Sequence, residues 1–133
     1  MKNALKLFFL LMLFSDLTFA QDSLNTKNIF VPDLSVNYAG KTSGELMREE
    51  VLSNSILKLE GPKADIYRIE SFRMSLYCGG ADSITWKCKE NILDDRIYAR
   101  NFKGCYLLFE YIKVIDEDGK KGMVAPMQFK IKK

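Results

Sequence analysis

The stretch from Gly104 to Ile131 leaves this chain the least conformational freedom. Gly104-Cys-Tyr-Leu-Leu-Phe-Glu-Tyr-Ile-Lys-Val-Ile115 and Met123-Val-Ala-Pro-Met-Gln-Phe-Lys-Ile131 are two strand-like runs, with Asp116-Glu-Asp-Gly119 between them. An Asp-Gly pair flanked by aromatic and β-branched residues signals a hairpin. In the second run Met123, Ala125, Met127, Phe129 and Ile131 share one parity, and mostly polar residues hold the other. A period of two predicts a half-buried strand with those five side chains on the core. A β-built module without a visible catalytic set points to binding or assembly rather than to an enzyme.

The opposite end speaks to the compartment. Met1 to Lys6 is short and basic, Leu7 to Phe14 is unbroken apolar, and Thr18-Phe19-Ala20 puts small residues ahead of a cut before Gln21. That is the layout of a secretory signal peptide. Asp16 interrupts the apolar run after about ten residues, half of what a spanning helix needs. Residues 1–20 are therefore expected to be removed, with no retained transmembrane anchor and an exported product, periplasmic or secreted. The remaining 113 of the 133 residues carry 18 basic and 16 acidic side chains, against 20 and 17 in the whole chain. So even a balance argues against nucleic acid as a partner. The length suits one domain with a modest core.

Three cysteines follow the leader, Cys78, Cys88 and Cys105. An oxidising compartment predicts one disulfide and one leftover thiol. Cys78 and Cys88 bracket the turn-like Gly79 to Ser83, so the expected pair is Cys78–Cys88 across a hairpin. Cys105 opens an apolar run, where a thiol behaves as a small hydrophobe. Cys78–Cys105 and Cys88–Cys105 remain open, and either needs a cross-sheet contact that spacing does not reveal. The chain has no histidine, and three scattered cysteines make a poor zinc cage. No metal and no cofactor is expected.

Read along the chain, residues 21–43 form an N-terminal arm or linker and residues 44–133 the domain. The arm holds the extended pieces Ile29 to Pro32 and Leu34 to Tyr38. Gly40-Lys41-Thr42 matches the end of a phosphate-binding loop but lacks its first glycine, so it is read as chance. Ser43 to Leu52 has helical spacing behind a Ser43 N-cap. Asp65 to Tyr77 reads as a strand whose apolar parity changes at Glu70-Ser71, the mark of a β-bulge. Ser83 to Lys89, with Trp86, is its expected partner. Ile92, Leu93, Ile97 and Phe102 recur at roughly helical intervals, and Gly104 can end that segment. The fold class is mainly β (α+β): a small antiparallel β-sandwich-like domain with one or two short helices.

Catalytic readings fare poorly. Asp94 and Asp95 are adjacent and would diverge on a helix. The carboxylates of Asp116 to Asp118 sit at a hairpin tip, where turn formation explains them better than calcium, since the glycine comes too early for a calcium loop. A Cys105 nucleophile would lack a histidine base. The expectation is no enzyme. Candidate interaction residues are Trp86, Lys120, Lys121, Lys130 and Lys132. Their plainer roles are filling the core, for the tryptophan, and guarding strand edges, for the lysines.

Tyr67-Arg-Ile-Glu-Ser-Phe72, Gly79-Gly80, Phe109-Glu-Tyr-Ile-Lys113, Asp118-Gly119-Lys120 and Pro126-Met-Gln-Phe-Lys-Ile131 follow one another in a particular order. That order resembles the C-terminal domain of the GldM family, the shaft subunit of gliding motility and type IX secretion, over about residues 44–133. The resemblance implies a β domain that meets envelope proteins, and hence a non-catalytic envelope module contacting secretion or gliding machinery. On this reading the chain is expected to depart from that family in having a cleavable leader and a single domain. A secreted binder of glycans or host ligands is the alternative, with glycan as its partner.

Overall fold

Alternating apolar and polar residues build most of the structure, a computed structural model that describes residues 30–79 and 83–132. The expected signal peptide, and residues 21–29 of the arm, lie outside the described residues. Strands β1 (Ser35–Asn37), β2 (Gly44–Leu46), β3 (Lys58–Glu60), β4 (Tyr67–Tyr77), β5 (Ser83–Lys89), β6 (Tyr106–Asp116), β7 (Lys121–Val124) and β8 (Met127–Ile131) are joined by helix α1 (Arg48–Ser53) and one 3-10 turn (Asp95–Ala99). Six strands form one sheet in the order β2-β8-β6-β4-β5, with β7 also on β6, while β1 and β3 form a separate pair. The result is a β-rich, sandwich-like domain.

One face of the large sheet is closed by β1, α1, the 3-10 turn and the loops around them. Phe109 stands at the centre of that core. Its ring centroid lies 5.1 Å from Tyr38, 6.0 Å from Phe72 and 6.2 Å from Phe129, all tilted or edge-on. Such pairs contribute about 0.5–1.5 kcal/mol each beyond burial. Tyr38 is wholly buried, yet its hydroxyl donates to the Asn54 carbonyl at 2.8 Å. Burial pushes its proton affinity well above that of an ordinary phenol, so it stays a donor. Leu34 and Val36, from the stretch read as an arm, lie in the same core.

Three expectations are corrected here. The closing run is not one strand. Ala125 and Pro126 divide it into β7 and β8, and the parity changes there: Val124 turns inward, Met123 is half-buried and Ala125 is exposed. Proline supplies no N–H to a ladder, which makes the break local and unavoidable. The helix expected from Ser43 begins only at Arg48. Leu46 is instead held as a strand residue, pairing in parallel with Ile131, so the mainly antiparallel sheet carries a parallel pair at this edge. Finally, the helical spacing after Ile92 yields only the 3-10 turn, with Ile97 and Phe102 buried and Ile92 exposed.

The cysteine pairing also differs. Cys78 is bonded to Cys105, with Cα atoms 4.2 Å apart, and Cys88 is free and buried. Register decides this. Tyr77 faces Tyr106 as the last β4–β6 pair, so the next residue outward on each strand is a cysteine. In the β4–β5 hairpin Tyr77 faces Ser83, which carries Cys88 up the strand to a place opposite Phe72.

Candidate functional site

On the face of the large sheet that no described residue covers, the strand irregularities fall along one line. In β4 the expected bulge appears as register shifts between Ile69 and Arg73. In β6 the buried parity runs Leu107, Phe109, then Ile112, Val114, and Tyr111 between them has φ of 50°. A positive φ on a bulky residue is strained, at roughly 1–2 kcal/mol. The β7–β8 break at Ala125-Pro126 stands beside this point, because Ile112 faces Val124 and Phe109 faces Met127. On β5, Lys89 ends the strand opposite Ser71. Irregularities in β4, in β6 and at the β7–β8 junction thus coincide, and because bulges bend the strands that hold them the sheet is creased there.

The crease opens a groove of about 490 Å³ lined by Ser71 and Arg73 of β4, Lys87 of β5, Tyr111 and Lys113 of β6, and Met123 of β7. Arg73 is fixed. Its Nε donates to Glu110 Oε1 at 2.8 Å, a second guanidinium nitrogen meets the same oxygen, and the guanidinium carbon lies 4.4 Å from the Tyr111 ring centroid. That hydrogen bond raises the already high proton affinity of Arg73. Lys87 and Lys113 make no ion pair among the described residues. Among the described residues the groove therefore carries two positive charges without a carboxylate partner, beside an aromatic ring and a thioether.

Beyond the crease the same face presents Tyr77 and Tyr106, each 42% exposed and directly opposite one another. Lys130 extends over Tyr106, with Nζ 6.0 Å from the ring centroid. A second hollow, of about 640 Å³, lies between β3, the start of β4 and Glu90-Asn91. There the charges of Lys58 and Arg68 are partly offset by Glu90, and it gathers less positive field than the crease.

The five residues singled out from sequence are not brought together. Trp86 is corrected from a surface candidate to a core residue: it is 5% exposed and faces Met74, because it shares the inward parity of Ile84 and Cys88. Lys121 is 3.4 Å from Glu70, and Lys132 is 2.8 Å from Glu45. Lys120 sits in the hairpin turn, where Asp116 Oδ1 accepts its backbone N–H at 2.8 Å and that of Asp118 at 3.0 Å. Lys130 alone joins the exposed tyrosines. Arg73, Lys87, Tyr111 and Lys113 were missed. The available signal was the second parity change, at Glu110-Tyr111, which mirrors the one noticed at Glu70-Ser71.

No family model matches this sequence, and no curated protein matches it significantly. No helix among the described residues is long and apolar enough to cross a membrane. The Cys78–Cys105 disulfide is compatible with an exported protein.

Proposed function

We propose that this chain is a non-catalytic, exported binding or assembly module of the cell envelope that docks protein partners through the open face of its large sheet. The observation that carries this is the exposure of Tyr77, Tyr106 and Tyr111 on one face, at 42%, 42% and 52%, beside a basic crease. Tyrosines with an apolar ring and a polar tip are enriched where proteins meet. Among the described residues nothing covers this face, which leaves room for a partner without disturbing the core. The resemblance to the GldM C-terminal domain supports secretion or gliding components as those partners. The leader-like residues 1–20 support periplasmic or secreted residence. A secreted glycan- or host-ligand-binding effector is the second reading, and the facing pair Tyr77–Tyr106 favours it as a sugar platform.

The test is affinity capture of the tagged protein from crosslinked cell envelopes, read by mass spectrometry. Recovery of secretion or motility subunits is the expected result. Free protein in the culture medium, with no envelope subunit captured, would overturn the envelope assignment and leave the effector.

A further inference from the structure

Resting on that reading, we propose that the crease groove seats an acidic, extended peptide segment of a partner protein. Lys87 and Lys113 take two of its carboxylates, and an apolar side chain between them lies over the Tyr111 ring, which the Arg73 guanidinium holds towards β4. Charge selects the ligand first. The groove is lined by Arg73, Lys87 and Lys113, and Glu110, the adjacent carboxylate, is spent on Arg73. An anion is drawn in, and a cation is repelled.

The remaining lining favours peptide over sugar. A sugar's hydroxyls need acceptors as well as donors. Here the cations only donate and Glu110 Oε1 already accepts from Arg73, which leaves the Ser71 and Tyr111 hydroxyls as the side-chain acceptors of the lining. Stacking is also hindered, because the guanidinium of Arg73 lies against one face of the Tyr111 ring. The rest of that ring suits an aliphatic side chain, and Met123 extends the apolar surface past Lys113.

Geometry sets the spacing. Arg73 pairs with Lys87 on one side and Glu110 on the other, while Lys113 pairs with Ser71. Lys87 and Lys113 are thus two strand spacings and about two residues apart, roughly 12 Å between backbones. In an extended peptide, residues i and i+4 share a face and stand roughly 13 Å apart, with i+2 between them. The recognised pattern is acidic-x-apolar-x-acidic. The strained backbone at Tyr111 fits a position held for recognition, since strain persists where the surroundings over-determine it.

The probe is a fluorescein-labelled Glu-Ser-Leu-Ser-Glu peptide, titrated with the full chain at low salt and followed by anisotropy. Saturable binding is expected, with the Lys-Ser-Leu-Ser-Lys peptide inert. Lys87→Glu with Lys113→Glu should weaken binding about tenfold or more, and the Gln pair by an intermediate amount. Reversing Lys63 and Lys103, exposed lysines outside the groove, should change it less than about twofold. Near-UV circular dichroism checks that each variant is folded. No binding to wild type, or equal binding by the groove reversal, overturns the proposal. So does alginate, a polyuronate, binding through Lys87 and Lys113 where the peptide does not. Envelope capture separates the two readings. If the groove reversal still recovers the same subunits, the groove assignment falls and the envelope module stands; if wild type recovers none, the module itself falls.

Discussion

The two faces of strands β4 and β6 carry similar amounts of aromatic side chain and use it in opposite ways. Inward, Phe72 and Phe109 join Tyr38 and Phe129 in an edge-to-face cluster. The hydroxyl of Tyr38 is satisfied there by backbone carbonyls. Outward, Tyr77, Tyr106 and Tyr111 stand half in water, two of them with a cation against the ring. A single step of parity separates the groups. Ring for ring, removal from water makes the first set structural, and access to water leaves the second free for a partner.

The sharpest way to break that contrast is to truncate one ring on each face. Phe109→Ala should cost about 3–5 kcal/mol, from lost transfer energy plus a cavity. Tyr106→Ala should stay within about 0.5 kcal/mol, as surface changes usually do. Urea unfolding of the two variants checks this, and comparable losses would end the distinction.

The disulfide ties β4 to β6 at their common end, beyond the last ladder pair. Replacing Cys78 and Cys105 by Ser opens a loop with a sequence separation of 27, for an expected loss of about 3–4 kcal/mol in the chain-entropy model. Cys88 belongs to the inner face, and burial pushes its proton affinity above that of an ordinary thiol. It should react with iodoacetamide only after unfolding, while peptide mapping without reductant recovers the Cys78–Cys105 pair.

Smaller effects test the outer face. Tyr111→Ala keeps the positive φ and loses the Arg73 stack, whereas Tyr111→Gly releases the strain. The glycine variant should be the more stable of the two by about 1 kcal/mol. Equal melting temperatures would mean that the backbone at this bulge relaxes in solution.

The smallest effect lies at the rim of the inner layer. Hydrogen bonds from Arg96 hold the Asp94 carboxyl down to about 2, against about 3.9 for a free aspartate. A lowered value in the folded state stabilises above about pH 4 and is lost as pH falls towards 2. Arg96 is largely exposed, so Asp94→Asn should cost less than about 1 kcal/mol at neutral pH, and that cost should fade as pH falls through 2. Carboxyl titration by NMR would read the shift directly.

Much of this was legible along the chain. The β4 bulge, the Asp118-Gly119 turn, the β4–β5 hairpin and the inward run Met127, Phe129, Ile131 are local consequences of parity and turn chemistry, and a single strand records them. What the chain alone left undecided depends on partners distant in sequence. Cys78 met Cys105 because β6, not β5, brings a cysteine level with the end of β4. Leu46 became a strand residue because β8 offered it an edge, whereas the core place of Trp86 follows locally from its parity with Cys88. The groove is the clearest case. Each bulge is a local event, but a crease exists only when the bulges of β4 and β6 and the Pro126 break lie side by side. Strand order and register align them, and both are set by which apolar faces can be buried together.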